Sequence, residues 1–283
     1  MAGVTGRRVL SAHATDLWPE RLHEERHRLC LPLREARRIG TDPRPVPRQV
    51  VYDFDLLGRG SESALAETPL DKLTFVVFDT ETTGLFPTGG DEIVQIAAVR
   101  IVNGRRVAGE VFDTLVNPGR PIPASSTAIH GITEAMVAAA PTIAEVGRRF
   151  HKFAEGAVLV AHNAAFDLEF LRRKELLIGR NFDHPVLDTV LLSAVIFGPA
   201  EGHSLDALTH RLGITIPEAA RHTALGDTVA TAGAFLRLLP ALKARGLTTF
   251  GAVRTEPRRQ GRRMRDLNPV AGPPHHARAT PPA

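Results

Sequence analysis

The chain has 283 residues, 43% of them hydrophobic, enough for one sizeable packed domain plus extensions. Its single cysteine, Cys30, excludes an intramolecular disulfide and a cysteine-rich zinc site, and no stretch reaches the roughly 18 apolar residues of a membrane helix. The net charge of +4 is uneven: residues 1–50 hold ten arginines against six acids and 251–283 seven against two, whereas 51–250 hold 18 basic and 23 acidic residues.

Basic ends of this kind either add phosphate contacts or solubilise flexible segments. Met1 to Leu22 has arginines but no compact apolar segment of signal-peptide type, so a cytoplasmic location and no membrane contact are expected. In chain order, Leu17 to Ile39 carries an imperfect helical pattern of apolar residues broken by Pro32, which predicts one or two short helices. Gly40 to Arg48, with three prolines, reads as an extended linker. Three strand-like runs follow: Leu73 to Thr80, Glu92 to Asn103 and Arg106 to Asn117. Asn103-Gly104 joins the last two as a hairpin, so the three predict an antiparallel meander.

Thr142 to Glu155 places Ile143, Val146, Phe150 and Phe153 on one side of an amphipathic helix, and Ala157 to Ala161 reads as a buried strand. A helix from Ala164 to about Leu177, a strand around Pro185 to Leu187, and helices over Ser204–Leu212 and Thr223–Arg245 complete an α/β order. After Gly251 the composition turns to Arg, Pro, His and small residues, which predicts a disordered tail. The chain thus divides into an N-terminal extension over 1–69, a domain over 70–251 and a basic, Pro-rich tail over 252–283.

Chemistry concentrates in three stretches: Phe78-Asp79-Thr80-Glu81-Thr82-Thr83-Gly84, His162-Asn163-Ala164-Ala165-Phe166-Asp167, and His222-Thr223-Ala224-Leu225-Gly226-Asp227. Asp79 and Glu81 follow the apolar run Phe75 to Phe78, so they lie at i and i+2 of a strand and share a face. If Asp167 and Asp227 fold onto that pair, four negative charges meet at one spot, which pushes their pKa values up unless divalent metal neutralises them.

In residue type, order and separation these motifs resemble those of DEDDh 3′–5′ exonucleases of the DnaQ-like superfamily, over roughly Leu70 to Gly251. Histidine five residues before the last aspartate is the DEDDh spacing. Ser126 to Thr133 and His203 to Leu208 also resemble the epsilon-type branch, that of the proofreading subunit of DNA polymerase III. The resemblance implies a ribonuclease H-like mixed five-stranded sheet flanked by helices, with all four acids facing one cleft. Hard carboxylate oxygens suit Mg²⁺ or Mn²⁺, and two ions would be held by Asp79, Glu81, Asp167 and Asp227, with Asp79 bridging them.

His222 cannot share a helical face with Asp227 five residues on, so it is placed on the preceding loop, with Thr223 capping the helix. Its imidazole is assigned as the general base that takes a proton from the attacking water. The family resemblance further implies that the backbone amides of Thr82 and Thr83 hold the terminal nucleotide, that Leu85 wedges against its base, and that Ile129 and His130 line its pocket. Asn163 and Phe166 would shape the wall beside Asp167.

The expected reaction is stepwise hydrolysis at a free 3′ end, with single-stranded DNA as first substrate and RNA as the alternative. A catalytically silent nucleic-acid-binding scaffold is a second reading. An Asp-nucleophile phosphatase is a third, which leaves Asp167 and His222 unexplained. A DNA polymerase or other protein partner is open. The long leader, and the lack of an epsilon-type polymerase-binding segment in Pro257 to Ala283, favour a repair or processing nuclease over a replicase subunit.

Overall fold

The computed structural model describes residues 18–23, 26–30 and 65–264, with side chains from 65 to 257. The chain divides between Pro47 and Arg48 into two units. In the first, β1 (Trp18–His23) pairs antiparallel with β2 (Arg26–Cys30), from Trp18 opposite Cys30 to His23 opposite Arg26. This corrects the short helices expected there. Pro19 restricts Trp18 to extended backbone, which outweighs the helical spacing of Leu22, Leu29 and Leu33. The Gly40–Arg48 linker lies outside the described residues.

In the second unit, β3 (Thr74–Thr82), β4 (Ile93–Val102) and β5 (Arg105–Leu115) form the expected antiparallel meander, and β6 (Val158–Ala161) and β7 (Val186–Asp188) extend it in parallel. The five-stranded order is β5-β4-β3-β6-β7, which puts β3 at the centre. Asn103 turns the hairpin with φ 51°. Helices α1 (Ala124–His130), α2 (Glu134–Val137), α3 (Ile143–Phe153), α4 (Ala164–Arg173), α5 (Glu175–Ile178), α6 (Thr189–Phe197), α7 (Leu205–Arg211), α8 (Ala224–Ala244) and α9 (Phe250–Met264) flank the sheet. No described helix is long and apolar enough to cross a membrane.

Alternation along β3 assigns its two faces. Val76 and Phe78 enter a core with Phe150 of α3 and Leu168 of α4, where the Phe78 and Phe150 rings lie 5.2 Å apart. Phe75 and Val77 enter a second core with Leu192 of α6, Phe235 and Leu238 of α8 and Val253 of α9, and the Phe75 and Phe235 rings lie 4.8 Å apart, edge to face. By the same period, Asp79 and Glu81 continue the α8 face and Thr80 the α4 face. Thr228 then ties α8 to the sheet: its Oγ1 donates to the Ala97 carbonyl at 3.2 Å, and Ala97 is the cross-strand partner of Asp79.

Two boundaries differ from expectation. The domain begins by Leu65, and an antiparallel bridge between Pro69 and Thr249 closes it. It also runs past Gly251, because α9 continues to Met264 and buries Val253 where a disordered tail is expected; residues 265–283 lie outside the described residues. Helix α6 is absent from the sequence reading because it is apolar around its whole circumference and buried from Thr189 to Val195, so it has no amphipathic period.

His203 fastens the α6–α7 junction. Its Nε2–H donates to the Gly198 carbonyl at 3.0 Å, so its Nδ1 accepts from the Ser193 hydroxyl at 2.9 Å. Burial holds the pKa of this imidazole below its usual 6.5. The folded state therefore favours the neutral ring, and its contribution to stability is present above pH 6.5 and lost on acidification through the lowered value. We expect the melting temperature of the wild type to fall more steeply below that pH than that of His203→Gln; parallel curves would show that the ring charges without penalty.

Candidate active site

β6 flanks β3 only from Phe75 to Val77, whereas β4 pairs with β3 as far as Thr82. Beyond Val77 the β6 side of the central strand therefore lies open, at its carboxyl end. Helix α4 fills this opening. Asp167, in its first turn and fully buried, accepts at Oδ1 from the Thr80 backbone N–H at 3.0 Å and from Thr80 Oγ1 at 2.6 Å.

The start of α4 is itself held in place. Asn163 is buried with φ 68°, and its N–H and that of Ala164 each donate to the Asp188 carboxylate at 3.0 Å. Asp188 also caps α6 by accepting from Val190 N at 2.8 Å. Burial pushes the Asp188 carboxyl up to about 6, against the opposing pull of these three backbone donors.

On the other face, Asp79, Glu81 and Asp227 converge, with one carboxylate oxygen from each lying within 4.8 Å of the others. Asp79 and Glu81 are buried, and Asp227 stands in the first turn of α8. Three hard oxygen donors at this separation fit a divalent cation. The structure thus gathers three of the four expected acids; Asp167, which reaches the strand from the opposite helix layer, is bonded instead to Thr80.

His222 lies on the loop before α8, as its spacing requires, half-buried with φ 54°. Thr223 caps α8 as expected, accepting from Gly226 N at 3.1 Å and donating to the Ala220 carbonyl at 2.9 Å. The loop closes so tightly over α8 that a β-carbon on Gly226 would lie 1.7 Å from the Ala220 oxygen.

The residues expected around the substrate divide into two groups. Leu85 is 36% and Ile129 41% exposed, so both present surface. Thr82, Thr83, His130 and Asn163 are buried. The Thr83 amide cannot hold a nucleotide as expected, since it donates to the Glu92 carbonyl at 2.8 Å where β3–β4 pairing runs on past a bulge. His130 Nδ1 accepts from Ile132 N at 3.0 Å, which commits that nitrogen to the turn after α1. Phe166 packs against the core, its ring 5.1 Å from that of Phe170. Sequence reasoning missed Asp91, Asp188 and Gly226, whose importance lies in contacts that no local pattern encodes.

A mixed sheet of this order, with acids at the carboxyl end of its central strand meeting one from a long closing helix, defines the class: the ribonuclease H-like exonuclease fold of DnaQ-like enzymes. The RNase_T exonuclease family matches residues 76–235. The DNA polymerase III subunit epsilon-like protein of Rhodobacter capsulatus is 90% identical over 271 residues, covering 94% of this chain and 38% of that protein. The PolC-type DNA polymerase III of Caldanaerobacter subterraneus is 41% identical over 179 residues, 63% of this chain and 12% of that protein. Exonuclease X, solved in complex with 5′ overhanging duplex DNA, is 31% identical with a TM-score of 0.50, covering 63% of this chain and 97% of that one. The chain belongs to the RNase_T exonuclease family, and it spans well under half the length of these two sequence relatives.

Gly226→Ala should break the Thr223–Ala220 closure and destabilise the domain by about 1–3 kcal/mol, the usual cost of overpacking. Urea unfolding measures it; a variant as stable as the wild type would show that the loop simply rides up.

Proposed function

We propose that the chain hydrolyses phosphodiester bonds at the 3′ end of DNA, releasing nucleoside 5′-monophosphates. The observation that carries this reading is the convergence of Asp79, Glu81 and Asp227 within 4.8 Å in a chain of the exonuclease family. These three residues, joined by Asp167 from α4, would hold two divalent ions, Mg²⁺ or Mn²⁺. When bound, such ions neutralise charge that develops on the phosphate during displacement.

The remaining tasks fall to the protein. Its acids fix where the scissile phosphate sits, because Asp79 and Glu81 stand on the central strand of a packed sheet rather than on a mobile loop. His222, through a ring nitrogen, receives the proton of the attacking water as general base. It stands on the loop that the Thr223 and Gly226 bonds seal against α8, the helix that carries Asp227. Leu85 and Ile129 supply exposed apolar surface to the terminal nucleotide.

DNA is favoured over RNA because the two sequence relatives carry DNA polymerase names and Exonuclease X was solved with DNA. A single strand is favoured over a duplex because its end enters a cleft without first fraying.

The test is degradation of 5′-labelled single-stranded DNA and RNA of one sequence with Mg²⁺, Mn²⁺ or EDTA. We expect a ladder shortening from the 3′ end with either ion and none with EDTA. Asp79→Ala should abolish it, and His222→Ala should slow it by about 10²- to 10⁴-fold. Absence of metal-dependent cleavage sinks the proposal, and faster loss of RNA than of DNA reverses the substrate assignment.

A further inference from the structure

The loop between β3 and β4 carries the most exposed aromatic ring among the large hydrophobic residues described, Phe86 at 69%. An exposed phenylalanine stays in water only at a cost in free energy, and a single such residue on a surface needs no explanation. Here, however, the backbone beneath it is fixed by an unusually dense set of bonds that converge on one side chain, Asp91.

The Asp91 carboxylate accepts from Thr83 Oγ1 at 3.0 Å through Oδ1 and from the Phe86 N–H at 3.0 Å through Oδ2. Its own backbone N–H returns a bond to the Phe86 carbonyl at 3.2 Å, so Phe86 is gripped on both of its peptide groups. Arg120 Nη1 lies 3.2 Å from Asp91 Oδ1 and also donates to the Gly90 carbonyl. Gly84 is the residue that lets the carboxylate in: a β-carbon there would stand 2.2 Å from Asp91 Oδ2.

Thr83 is tied in turn to its surroundings. Its Oγ1 accepts from Glu92 N at 3.0 Å, and its carbonyl accepts from Ser126 Oγ of α1 at 2.7 Å. The loop is thereby locked to β3, to β4 and to the helix that presents Ile129. None of these bonds shields the Phe86 ring. The result is a rigid backbone that begins two residues after Glu81 and holds an aromatic face in solvent.

We propose that Phe86 is a stacking surface for a base of the bound strand and that Asp91 is the positioning residue that holds it out. This role rests on the nucleic-acid substrate proposed above. Stacking on an aromatic ring suits any base, since every base has a π-face, and a platform fixed before binding loses little entropy when the strand arrives. Asp91 acts through the loop and touches no reacting atom.

The test is the dissociation constant of a 5′-fluorescent single-stranded DNA oligonucleotide, read by anisotropy with Ca²⁺ in place of Mg²⁺. Phe86→Ala should raise it about tenfold and Phe86→Trp should keep it near the wild-type value. Asp91→Asn offers one acceptor oxygen where two serve Thr83, Arg120 and Phe86, and should raise it about fivefold. If Asp91 acts through Phe86, that substitution adds less than about twofold in the Phe86→Ala background.

Equal affinity of Phe86→Ala and the wild type, or an Asp91→Asn effect of the same size in both backgrounds, overturns the proposal, as does a wild type that does not bind the oligonucleotide. The measurement needs no turnover, so a protein that binds DNA but cleaves none defeats the exonuclease reading while the platform is still decided by these ratios.

Discussion

The close approach of Asp79, Glu81 and Asp227 sets the terms for the rest of the domain. Three carboxylates within 4.8 Å would, if all were ionised, repel by on the order of 3 kcal/mol per pair at an effective dielectric constant near 20. A fold that holds them together needs compensation nearby. Helix α8 provides it: Phe235, Leu238 and Leu242 are fully buried against the sheet, and burial of each such side chain contributes about 1.5–3 kcal/mol. Ala224, Ala230, Ala232 and Ala234 are buried as well, and small side chains allow the close approach. Thr228 completes the seat by bonding to the carbonyl of Ala97, directly across the sheet from Asp79. The acids are thus packed into place by apolar surface that lies immediately behind them.

Asp167 shows how the two faces of one strand divide this work. Period-two alternation sends Asp79 and Glu81 toward α8 and Thr80 toward α4, so an acid from α4 meets the strand through Thr80. That contact exists because β6 leaves β3 after Val77 and exposes a stretch of backbone that the sheet no longer satisfies. Asp188 then fixes both helices that start at this end of the parallel strands, binding the first amides of α4 and α6 with a single carboxylate. The site is consequently built from strand ends and helix starts, the places where a backbone has donors to spare.

What the sequence made legible were features with a short period or a fixed spacing. Asp79 and Glu81 on one strand face follow from alternation alone, and His222 on a loop follows from five residues of helical rotation before Asp227. The meander followed from Asn103-Gly104 between apolar runs. Features without a local signature stayed hidden. Helix α6 is apolar on every side, so no periodicity marks it. Asp91 and Asp188 look like ordinary loop and strand-end acids until folding brings Gly84, Phe86, Asn163 and Ala164 against them. At Trp18–Cys30 scattered leucines imitated a helical pattern while Pro19 pointed to extended backbone, and the backbone constraint prevailed.

Charge links the site to its proposed substrate. Residues 51–250 carry more acids than bases, and the carboxylate cluster concentrates that excess where a polyanionic strand would have to enter. Nucleic acid and the acids alone repel, so bound cations invert the local potential and make the two compatible. Linkage then makes the effect mutual: if divalent metal raises the affinity for a strand end by some factor, the strand end raises the affinity for metal by the same factor. The exposed side chains of Leu85, Ile129 and Phe86 carry no charge, so the contacts proposed for them with a strand would carry no such dependence.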